Sequence, residues 1–105
     1  VNTTWTRHVA AASAGAVAAN VVPHLAHALA GKPFPTPFAD PPGVGDSSPL
    51  ENLVWASANA GATGAIVYSQ RAHLHRAQFW GVFGISASAA GFALRSYFER
   101  MRGQG

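Results

Sequence analysis

The chain has 105 residues, enough for one domain, and only 10% of them are charged, against roughly 25% in ordinary soluble domains. Seven basic and four acidic residues leave a net charge of +3, and there is no cysteine. That excludes disulfides, thiolate catalysis, cysteine-type zinc sites and cysteine-ligated iron–sulfur clusters.

All eleven charged residues fall outside three runs, His8 to Gly31, Asn52 to Gln70 and Ala77 to Leu94. A soluble amphipathic helix needs a polar face at every turn, and these runs offer no charged one. Each approaches the ~20 residues that cross a hydrocarbon core of about 30 Å. Mean hydropathy is only slightly positive, because the runs are rich in Ala, Gly and Ser rather than Leu and because the connecting segments are polar. The basic residues flank the runs in short patches, the pattern of juxtamembrane anchors facing anionic lipid rather than of a nucleic-acid surface. The expected fold is all-α, a single transmembrane domain of three transmembrane helices with a Pro-rich loop between the first and the second.

The first helix is expected over residues 4–30, starting near Thr3 or Thr4 as N-cap and ending before Gly31, which suits the left-handed position past a helix end. Arg7, the apolar stretch and Ala26-His27-Ala28 also have the outline of a signal peptide, but the run is read as a retained membrane helix. Pro23 lies inside it and should kink it, freeing the Ala19 carbonyl. Residues 31–47 hold five of the seven prolines, which forbid regular helix and favour extended segments and turns. Phe34 and Phe38 in this loop are expected at the headgroup level or packed back on the helix ends.

The second helix, residues 48–70, has the clearest start signal. Ser48 is the N-cap, Pro49 takes the first helical position and Glu51 completes a capping box. Arg71-Ala72-His73-Leu74-His75-Arg76 then separates it from a third helix over residues 77–100. A hairpin is expected there, since one straight helix could bury only one of the two apolar runs. Trp5, Trp55 and Trp80 each lie near a helix start, as interface anchors do. Three crossings would place Arg7, Arg71 and Arg76 on one side and Lys32, Arg95, Arg100 and Arg102 on the other, too even a division for the positive-inside rule to set an orientation.

Membrane helices associate through close packing and hydrogen bonds. Small residues recur four apart at Ala11, Gly15 and Ala19, at Ser57, Gly61 and Ala65, and at Ala77/Gly81 and Gly84/Ser88. Gly15, Gly61 and Gly84 are therefore expected at helix contacts. Asn20 and Asn59 sit near the middle of antiparallel runs, so a hydrogen bond between them is expected, with a polar pathway lining as the functional alternative.

Candidate chemistry is sparse. His24 and His27 share a helix face, and Asp40, Asp46 or Glu51 from the same side would complete a His/carboxylate metal site. The plainer reading has both histidines bonded to loop carbonyls, clamping the loop over the helix end. No run contains a membrane-buried Asp, Glu, Lys or Arg of the kind that coupled transporters use. No catalytic constellation or nucleotide loop is recognisable, so no enzyme activity and no cofactor are expected.

The segments Asn20-Val21-Val22-Pro23-His24, Gly31 through Ala39 (GKPFPTPFA), Pro41 through Gly45 (PPGVG), Ser47-Ser48-Pro49 and Asn52-Leu53-Val54-Trp55 together resemble a group of small bacterial integral membrane proteins to which no activity is assigned. The resemblance covers about a third of the chain. It implies a multi-pass protein of the bacterial inner membrane and carries no mechanism. The leading expectation is a non-enzymatic subunit or packing partner of a larger inner-membrane complex, in contact with the lipid bilayer and with other membrane subunits or copies of itself. Phe34, Pro35, Pro37 and Phe38 would form its partner-binding loop. The alternatives are a small homo-oligomeric channel or transporter, and a metal- or haem-binding protein using His24 and His27.

Overall fold

The computed structural model describes residues 3–103. It is all-helical, with α1 over Thr3–Leu29, α2 over Pro49–Ser69 and α3 over Ala77–Gly103, in a body of 45 × 24 × 23 Å. The N-cap expected at Thr3 or Thr4 is not found there, since both residues are already helical. The Arg102 side chain lies outside the described residues, although α3 continues past the expected end at residue 100. The start of α2 is as its sequence signals. The Glu51 backbone N–H donates to the Ser48 hydroxyl at 3.0 Å, and the Ser48 N–H donates to the Glu51 carboxylate at 2.8 Å.

α1 and α3 are each long and apolar enough to cross a membrane, but α2 is not apolar enough, which corrects the even treatment of the three runs. The physical reason is visible in α2 itself, where Asn52, Asn59, Ser57 and Thr63 dilute a short apolar segment.

Between α2 and α3 the chain turns back, as expected, rather than running on as one helix. The reversal includes a short 3-10 turn at Arg71–His73, and the Trp80 indole N–H holds the Leu74 carbonyl at 2.7 Å. Yet α2 and α3 scarcely touch, and both pack on α1. α1 can take the central place because Ala11, Ala14 and Gly15 present almost no side chain and are buried. At Gly15 the approach is so close that a Cβ would collide with the Phe83 carbonyl of α3. Near this crossing the Ser86 hydroxyl donates to the Ala12 carbonyl at 2.6 Å, the kind of close contact that holds membrane helices together.

The small-residue stripes of α2 and α3 behave differently from that of α1. Gly61 and Gly84, expected at helix contacts, are exposed with open space beside them, as are Ser57 and Ala65. The contact face of α2 is instead Asn52, Ala56 and Asn59, spaced four and then three residues apart as one helix face requires.

Candidate functional site

The most elaborate part of the molecule is the Pro-rich segment and the helix ends that hold it. Its two limbs meet in a single antiparallel bridge, with the N–H of Phe34 on the Ser47 carbonyl at 3.1 Å and the N–H of Ser47 on the Phe34 carbonyl at 3.0 Å. Thr36 and Ser47 share a buried hydroxyl hydrogen bond of 2.5 Å. Further along, the Thr36 carbonyl accepts from the N–H groups of Ala39 and Gly43. Gly43 has φ +70°, and at Gly45 a Cβ would collide with the Asp40 carbonyl. Glycine is therefore required at both for different reasons, one a left-handed backbone and the other close approach of two chain segments.

Asn52 joins this loop to the helices. Its amide nitrogen faces three carbonyls, those of Phe34 at 2.9 Å, Ser48 at 3.0 Å and Ser47 at 3.3 Å. Its oxygen then faces His24 Nδ1 at 2.8 Å. A carbonyl oxygen only accepts, so the His24 proton sits on Nδ1. Both side chains are almost wholly buried, at 2% and 0% exposure, and a buried polar group without a partner is costly. His24 is thus satisfied by α2, and α2 by the loop. The His27 ring stacks on Phe34 with centroids 3.8 Å apart, while its Nδ1 donates to the Pro23 carbonyl at 2.7 Å. Phe98 of α3 packs on Phe34 at 4.5 Å, and the Tyr97 hydroxyl donates to the Gly43 carbonyl at 3.0 Å. All three helices grip the loop.

This placement divides the four residues expected to bind a partner. Phe34 and Pro35 are buried and form the loop's own core, so they cannot be a recognition surface. Pro37 is exposed, and Phe38 is 51% exposed with its ring edge-on to Trp55. The histidines clamp the loop through Asn52 and through ring stacking, rather than by direct bonds to loop carbonyls. Among the described residues, no three His, Asp or Glu side chains converge on a metal-sized site. Asp40, Asp46 and Glu51 do not complete a ligand set with His24 and His27.

Asn20 Nδ2 donates to Asn59 Oδ1 at 3.1 Å, and Asn59 Nδ2 donates to the Trp55 carbonyl at 2.8 Å. The pair is occupied with helix contacts. At the opposite end of the molecule His73 is held below its ordinary pKa of 6.5, by partial burial of the ring and by the nearby charges of Arg7, Arg76 and His75.

Tyr97 and Phe98 are not singled out in the sequence, and Thr36, Ser47 and Asn52 stand there only within the motif stretch, with no structural role assigned. For Asn52 a signal existed: it lies seven residues before Asn59, on the same helix face, at the mouth of an otherwise apolar run. Searches against protein-family profiles, curated proteins and solved structures find no match to this chain.

Proposed function

We propose that this chain is a non-enzymatic, multi-pass protein of the bacterial inner membrane that acts as a packing partner in a larger membrane assembly, docking through the rim of its Pro-rich loop. The observation that carries this reading is the loop itself. The buried polar side chains His24, Thr36, Ser47 and Asn52 all serve to hold it in one shape, and that shape turns Pro37 and Phe38 outward. A preformed surface binds with less loss of conformational entropy than a flexible one, and an exposed aromatic beside prolines is a typical anchor. The resemblance to small bacterial membrane proteins supports the location.

In this reading α2 is a third crossing. Its 21 residues span about 31 Å at 1.5 Å per residue, enough for a hydrocarbon core. Asn52 and Asn59, which lower its average apolarity, are turned inward and hydrogen-bonded. The outer face carries Leu53, Val54 and Tyr68. Lipid would meet the apolar side of the helix while α1 and the loop take the polar side.

The test is purification of the tagged protein from native membranes in a gentle detergent, with sizing on a native gel. The wild type is expected in a discrete complex larger than the chain. Phe38→Ala should release the partner while helicity and membrane insertion persist. Full retention of the partner by Phe38→Ala would refute the docking role.

A further inference from the structure

α1 and α3 leave a cleft of about 620 Å³ between them on one side of the molecule, and Ala19, Pro23, Ala87, Gly91, Arg95 and Phe98 are among its walls. Its surface is overwhelmingly apolar, and its two walls are the helices that are long and apolar enough to cross a membrane. Three features say what fills it. Along α3 the lining runs from Ala87 to Phe98, about 16 Å at 1.5 Å per residue. That is about half of a 30 Å hydrocarbon core, or one leaflet. The cleft begins near the middle of both helices and runs towards the loop end. Finally, its loop-side lining includes Arg95, which is ion-paired with Glu99 one turn further along α3. The Arg95 Nε lies 2.8 Å from the Glu99 carboxylate, and both side chains are largely exposed.

We infer that this cleft seats one acyl chain of a zwitterionic phospholipid from the loop-side leaflet, with the phosphate on Arg95 and the ammonium on Glu99. The inference rests on the reading that α1 and α3 cross the bilayer. A void in a membrane protein's lipid-facing side must be filled by something apolar, because packing contacts are lost wherever it is empty. The exposed Arg95–Glu99 pair beside the loop-side end of the cleft offers one cation and one anion to a headgroup that carries one of each. A purely basic rim would instead select anionic lipid. The Pro23 ring and the absent side chain of Gly91 make the recess. A Cβ at Gly91 meets nothing within 4 Å, so a larger side chain there would enter the cleft without disturbing the helices.

The experiment reconstitutes the chain in bilayers of equal parts phosphatidylethanolamine and phosphatidylglycerol. The protein is then released in gentle detergent, and retained phospholipid is counted by native mass spectrometry. The wild type should keep one phosphatidylethanolamine. Gly91→Leu, and independently Ser88→Leu at another lining position of α3, should cut retention at least about tenfold by occupying the space of several methylenes. Arg95→Gln should cut it about threefold, as loss of one exposed ionic contact does, and should erase the preference between the two lipids. Gly81→Leu, on an exposed part of α3 away from the cleft, should change nothing. Preferential retention of phosphatidylglycerol, or undiminished retention in both cleft variants, would overturn the assignment. So would a lipid-free chain, or one in which a second copy covers the cleft. Extraction in alkaline carbonate separates the two readings. Protein that leaves the membrane refutes the crossing itself, whereas protein that stays but retains no phospholipid refutes the cleft alone.

Discussion

The two sides of α1 are built on different principles. Towards α2 it makes side-chain hydrogen bonds, Asn20 to Asn59 and His24 to Asn52. Towards α3 it brings backbone against backbone at Gly15, with the Ser86 hydroxyl on the Ala12 carbonyl. The difference explains why α2, which lacks a stretch apolar enough to mark a membrane span, packs on α1 as closely as α3 does. Its two asparagine side chains are consumed at the contact rather than on its outer face. α3 has little to consume, and depends on the absence of a side chain opposite Phe83. Helix association in lipid draws on both devices, and here one helix uses each on a separate face.

If the two faces are independent, they should break separately. The largest effect is expected from Asn52→Ala. It leaves the buried His24 Nδ1–H without its acceptor, at ~1–3 kcal/mol for a buried group left unsatisfied, and removes the side-chain hydrogen bonds to the carbonyls of Phe34, Ser47 and Ser48, each of which keeps a backbone N–H partner. Thermal unfolding should fall, and protease should cut the loop while α1–α3 contacts survive. Gly15→Ala is expected to cost about 1–3 kcal/mol by overpacking, and inter-helix cross-linking should show α3 displaced with α2 in place. Ser48→Ala removes the N-cap of α2, a loss of about 1 kcal/mol that hydrogen exchange should localise to the first turn of that helix. Asn20→Ala should cost only ~0.6 kcal/mol, visible as a small shift in unfolding midpoint.

The smallest effect concerns the turn end. The pKa of His73 is lowered in the fold, so the unfolded state binds more protons as pH falls below about 6.5, the unperturbed value. The contribution of His73 is present above that pH and is lost as pH falls towards the folded value. Amide protection factors around Arg71–His73, corrected for the intrinsic pH dependence of exchange, should therefore fall on acidification, and His73→Gln should abolish the change.

Much of the helix content was legible in the sequence, because charge-free runs and the Ser48/Glu51 capping box are local signals. The central place of α1 was not, since three Ala-rich stripes look alike until the close approach at Gly15 distinguishes one of them. The loop was legible as non-helical from its prolines, but not as folded. Its shape depends on Asn52, Tyr97 and Phe98, which come from other helices and leave no trace in loop composition. Phe34 and Phe38 illustrate the limit. Two aromatic residues four apart, each directly after a proline, read alike, yet one is buried under His27 and Phe98 while the other is half exposed.

The reading that α2 crosses the membrane with its polar face turned onto α1 is open to one direct measurement. The chain has no cysteine, so Asp40→Cys in the loop and His75→Cys in the turn can each be labelled alone, in intact cells, with a membrane-impermeant thiol reagent. Three crossings place these positions on opposite sides, so only one of the two should label before the membrane is permeabilised. Labelling of both, or protection of both, would put the loop and the turn on the same side and contradict the account.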